Sequence, residues 1–154
     1  MARKRLAAVS ALILILSLVG CQGASPAGND GLPQPAVNWG ITLSAEDVTA
    51  TGLTLVITQA GGEPAGELEY GREFGLEVLK DGVWEPVPYM DEDIGWPLDA
   101  RMVSMESTAN ESVRWESIYG SLPAGTYRIG KEFMDFRGTG DYDTEMFYAK
   151  FEIR

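Results

Sequence analysis

Two short stretches concentrate side chains that could do chemistry. Met90 to Asp99 reads MDEDIGWPLD and packs four carboxylates and Trp96 into ten residues. Carboxylates one or two residues apart on a loop can wrap a hard cation such as calcium through several oxygens. The 12-residue EF-hand pattern and its final Glu are missing. Asp135 to Asp143 reads DFRGTGDYD. Here Asp135, Asp141 and Asp143 offer oxygen ligands, and Phe136 and Tyr142 offer ring faces for a sugar or a peptide. Gly138 and Gly140 would make such a loop adaptable. The candidate calcium ligands are therefore Asp91, Asp93, Asp135, Asp141 and Asp143, and the candidate binding contacts are Trp96, Phe136 and Tyr142. The plainer alternative is two acidic loops that serve solubility. Paired carboxylates could also serve glycan hydrolysis. With many acidic residues scattered along the chain, some pair falls at a suitable separation by chance, so the expectation is a non-catalytic protein.

The rest of the composition narrows the chemistry further. The 154 residues include no His and one Cys. That excludes Ser-His-Asp and Cys-His catalysis, a classical zinc site and an intramolecular disulfide. Twelve Lys and Arg stand against 23 Asp and Glu, a net charge of −11. Nucleic acid is bound chiefly by cationic side chains on phosphates, so it is not an expected partner.

The single Cys has its own context. Arg3, Lys4 and Arg5 precede an apolar run from Leu6 to Val19, broken only by Ser10 and Ser17. Fourteen residues make a helix of about 21 Å, short of a bilayer core of about 30 Å. The run fits the apolar region of a secretory signal. Leu18-Val19-Gly20-Cys21 resembles the lipobox of bacterial lipoproteins. The resemblance implies cleavage before Cys21 and a diacylglycerol on its thiol. Residues 1–20 are then a signal peptide, and Cys21 is a membrane anchor on the extracytoplasmic face. Two acyl chains hold a protein at a membrane where one does so only marginally. Losing residues 1–20 removes three basic residues and no acidic one. The remaining chain has 9 basic and 23 acidic residues, a net charge of −14. After Cys21, Gln22 to Val37 (QGASPAGNDGLPQPAV) shows no apolar period and reads as a flexible tether.

The elements that must position the two acidic stretches lie in residues 38–154, the size of one domain. No 3.6-residue period is sustained there; period-two alternation recurs between turn signals. Trp39, Ile41 and Leu43 alternate with Gly40 and Thr42, and Leu53, Leu55 and Ile57 alternate with Thr54, Val56 and Thr58. Leu76 and Val78 begin a strand that Asp81-Gly82 turns into Val83 to Pro88, an Asp-Gly hairpin. Pro86 and Pro88 place that second strand at an edge. Ser112 to Ser117 reads as a strand with Val113 and Trp115 on one face. Tyr127, Ile129, Lys131 and Phe133 share one phase of the next strand. Phe147, Ala149, Phe151 and Ile153 share one phase of the last.

Leu122-Pro123-Ala124-Gly125-Thr126-Tyr127 resembles the tyrosine corner of Greek-key sandwiches, in which the phenol bonds back to nearby backbone. FGLEVLKDGVWEPVPY (74–89), ESVRWESIYGSLPAGTYRIGKEF (111–133) and FYAKFEI (147–153) are similar to a family of bacterial immunoglobulin-like domains found in secreted proteins and lipoproteins. The resemblance implies an all-β fold, an immunoglobulin-like antiparallel sandwich of about seven strands. It carries over no catalytic residue. Together these readings lead to a lipid-anchored protein that displays one such domain for recognition or scaffolding at the cell envelope. Its partners would be the membrane and an envelope protein or glycan. A calcium-stabilised module is the alternative, and a small glycan hydrolase the third.

Overall fold

The computed structural model describes residues 31–91 and 93–154. Residues 1–30, where the expected signal peptide, Cys21 and most of the expected tether fall, lie outside the described residues, as does Glu92. Among the described residues no helix is long and apolar enough to cross a membrane.

Among the described residues, nine strand segments form two antiparallel sheets. The first sheet has the order β1 (Ile41–Thr49), β2 (Gly52–Gln59), β7 (Ser107–Arg114). The second is built on the long pair β8 (Gly125–Gly138) and β9 (Asp141–Ile153), which run in register from Gly125↔Ile153 to Phe136↔Tyr142. The other edge of β8 pairs with β4 (Gly75–Lys80) and then with β3 (Glu67–Tyr70). β5 (Val83–Pro86) and the two-residue β6 (Arg101–Met102) lie outside β4 and β3 respectively. Between β3 and β4, the four residues 71–74 face only Lys131 and Glu132 of β8. β3 and β4 are thus one strand track broken by a bulge, and β5 and β6 occupy one edge track. The nine segments reduce to seven tracks, an immunoglobulin-like sandwich.

Period-two patterning explains the layers. Leu53, Leu55 and Ile57 of β2 face Ile129 and Phe133 of β8 and Phe147, Ala149 and Phe151 of β9 across the core. Trp115 is fully buried. Its indole N–H donates to the Ala50 carbonyl at 3.0 Å, and its backbone N–H donates to Thr51, which ties the end of β7 to the β1–β2 turn. Tyr127 donates its hydroxyl to the Pro123 carbonyl at 2.9 Å, so the tyrosine corner forms. Asp81 and Gly82 both have positive φ, 49° and 81°, between the paired Lys80 and Val83, as a tight hairpin requires.

Two expectations change. The Ser112–Ser117 strand stops at Arg114, and Glu116–Tyr119 forms a helical turn, α1, that carries the chain from one sheet to the other. The Asp135–Asp143 stretch is not a long loop. Asp135 and Phe136 belong to β8, Asp141 to Asp143 belong to β9, and only residues 139 and 140 turn between them. The ladder that starts at Gly125 and Ile153 continues through the charged residues because each finds a partner or faces water.

Candidate functional site

The acidic stretches occupy different parts of the fold. Residues 87–100 leave the edge of the second sheet after β5 and return at β6. The Val87 N–H bonds Leu76, the Met90 N–H bonds Ile118 of α1, and the Val103 N–H bonds Leu68. The excursion therefore covers the flank between the sheets. Trp96 is half-buried, edge-on to Phe74 of the bulge at 5.0 Å, and Phe74 in turn packs on Tyr119. The Asp93 N–H donates to Asp91 in a local turn at 3.0 Å, and both side chains are exposed. Asp99 accepts from Arg72 at 2.7 Å, which holds its carboxyl below the usual range.

The other acidic stretch converges on one guanidinium. Arg137 reaches Asp141 and Asp143, each at 2.9 Å, and Asp135 at 3.5 Å. Asp135 is buried and accepts the backbone N–H groups of Ala65 and Gly66 at 2.8 and 2.5 Å. Its carboxylate anchors the loop before β3. The structure thus brings together Asp135, Asp141 and Asp143, with Arg137 where a cation would sit, and keeps them apart from Asp91 and Asp93. Among the described residues no group of three or more His, Cys, Asp or Glu side chains is arranged to hold a metal. Phe136 and Tyr142 pair directly across β8 and β9 on the outer face, and Trp96 is not with them.

Two further constellations lie on β8. Lys131 points into the core and is 1% exposed. Its ammonium lies 3.6 Å from Glu111 of β7, donates to the Glu73 carbonyl at 3.4 Å, and sits 5.0 Å from the centre of the Tyr70 ring. Burial pulls the Lys131 amine below its ordinary value and Glu111 partly restores it. Arg101 approaches the other Glu111 oxygen at 3.4 Å, while Glu111 Oε2 is buried without a hydrogen bond. Arg128 faces outward between the rings of Trp84 (4.7 Å) and Tyr148 (4.4 Å) and bonds Glu77 at 2.5 Å.

The bacterial Ig-like domain family matches residues 35–152. The chain belongs to that family. Neither the curated proteins nor the solved structures give a match.

In this Ig-like domain, the outer face of the second sheet has a feature that no single stretch of sequence announces. Gly75 of β4 and Gly130 of β8 are paired in register, so two neighbouring positions carry no side chain. A Cβ on Gly130 would lie 2.8 Å from the Tyr148 ring, whereas one on Gly75 would meet nothing within 4 Å. Tyr148 therefore lies against the sheet over one glycine, and a groove opens over the other. A depression of about 350 Å³ beside Glu73 and Glu132 adjoins one of about 270 Å³ beside Tyr148, and the two share Gly75, Gly130, Tyr89 and Met146. The flank beneath Trp96 holds a smaller hollow of about 240 Å³. The signal for the groove was present in the sequence only as two isolated glycines in strand-like runs, which mark a bulge or a close approach. Their pairing needed the register.

Proposed function

We propose that this Ig-like domain is displayed as a lipid-anchored lipoprotein on the extracytoplasmic face of the cell membrane, and that it serves recognition or scaffolding there without catalysis. The observation that carries this reading is the position of the single cysteine, Cys21, at the end of the Leu18-Val19-Gly20-Cys21 lipobox. The charged side chains support the non-catalytic part. Asp99, Asp135, Asp141 and Asp143 are engaged by Arg72, backbone N–H groups and Arg137, so they brace the fold rather than converge on a substrate. A net charge of −14 after processing would keep the domain off anionic lipid surfaces, so that the tether holds it in solvent. Membrane fractionation of the Cys21→Ser variant tests the anchor. The variant should accumulate unprocessed or leave the membrane fraction, and unchanged retention as a processed protein would overturn the reading.

A further inference from the structure

We propose that the glycine-floored groove on the outer face of the second sheet binds an aliphatic ammonium group, presented as a lysine side chain by a basic polypeptide partner. The inference deepens the recognition reading and rests on it. Gly75 and Gly130 give the groove a floor of bare backbone. Tyr148 and Met146 stand on the β9 side, and Tyr89, 44% exposed, stands on the other. The exposed ring of Tyr89 attracts an ammonium through its quadrupole, and a lysine stem packs on Met146 and along the edge of Tyr148, whose face already carries Arg128. Glu73 and Glu132 line the same groove, and neither carboxylate has an ion pair among the described residues. Of the nearby cations, Arg128 is already neutralised by Glu77 and held between two rings, and Arg72 is paired with Asp99. The processed chain's net charge of −14 steers a basic partner toward the domain and repels an acidic one.

The test is an amide chemical-shift titration of the full chain in detergent with trilysine amide, at about 0.15 M salt to screen diffuse attraction. The expected result is a saturable set of shifts confined to the strands around Gly75 and Gly130, at the Tyr148 and Met146 positions and near Tyr89. Gly75→Val fills the groove where the backbone leaves room and where a β-branched residue suits a strand, so it should leave the fold intact. It should weaken binding about tenfold, and Glu132→Gln should weaken it by a smaller factor. Binding that survives Gly75→Val, or shifts scattered over the acidic surface, would show attraction by net charge alone and overturn the proposal. No binding, or binding of a neutral oligosaccharide in place of trilysine, would overturn it too. None of these outcomes bears on the Cys21→Ser experiment, which stands or falls by membrane retention.

Discussion

Arg128 and Lys131 sit three residues apart on the same strand and face opposite sides of the sheet. Both are buried, 8% and 1% exposed. Their surroundings differ. The Arg128 guanidinium is planar, so two aromatic faces and one carboxylate cover it without leaving a donor stranded in an apolar site. The Lys131 ammonium lies in the core with a carboxylate at 3.6 Å and one long bond to a carbonyl, and its partner Glu111 keeps an oxygen without a donor. Taking two charges out of water costs several kcal/mol per ion, and attraction at such distances recovers this only in part. The outer cation organises a surface, whereas the inner one is tolerated because removing a single member would be worse.

That contrast predicts a ranked series of losses. Lys131→Met leaves Glu111 with only Arg101 at its other oxygen and should cost about 3 kcal/mol in urea unfolding. The double variant Lys131→Met, Glu111→Leu should return to within about 1 kcal/mol of the parent or exceed it. A double variant as unstable as the single one would break the comparison. Arg128→Ala opens the Trp84–Tyr148 stack but leaves Glu77 free to reach water, so it should cost about 1–2 kcal/mol. A larger loss than that of Lys131→Met would reverse the ranking. Tyr127→Phe removes only the hydroxyl bond to Pro123 and should cost about 1 kcal/mol. It calibrates what one neutral bond is worth in this core.

The pH profile sharpens the same contrast. The Lys131 amine is lowered in the fold by burial, from an ordinary value of 10.5. Between the folded value and the unfolded one the unfolded chain binds more protons, so Lys131 adds stability as pH rises through that window. Lys131→Met should lack this rise, whereas Arg128→Ala should keep it, because arginine does not titrate there. Above pH 10 burial of the Tyr119 hydroxyl acts the other way in every variant, since the folded state then holds the extra proton.

The two cations also show what the sequence could and could not convey. Lys131 was legible as an intruder, because it shares the inward phase of Tyr127, Ile129 and Phe133. Its partner was not, because Glu111 lies in the other sheet and the pairing exists only once the sheets are stacked. The tyrosine corner and the Asp81-Gly82 hairpin were legible because each is closed within a few residues. The β8–β9 hairpin was misjudged because glycines and like charges are the usual marks of a loop. Here Arg137 gathers Asp135, Asp141 and Asp143, and two backbone N–H groups satisfy Asp135, so the ladder extends to the tip. β3 escaped notice because four residues and an adjoining bulge give too short an alternation. Of the binding contacts inferred from loop composition, the fold keeps Phe136 beside Tyr142 and sets Trp96 apart on the flank, while the glycine pair came together through register.

On this proposal the two faces of β8 are separable, with structural charge inside and a recognition surface outside. The most direct measurement is the affinity for trilysine amide of the Lys131→Met, Glu111→Leu double variant beside that of the parent. Binding at the Gly75–Gly130 groove should stay within about threefold of the parent, well under the 1.4 kcal/mol of a tenfold change. Loss of binding in a folded double variant would contradict it, as would the absence of binding in both.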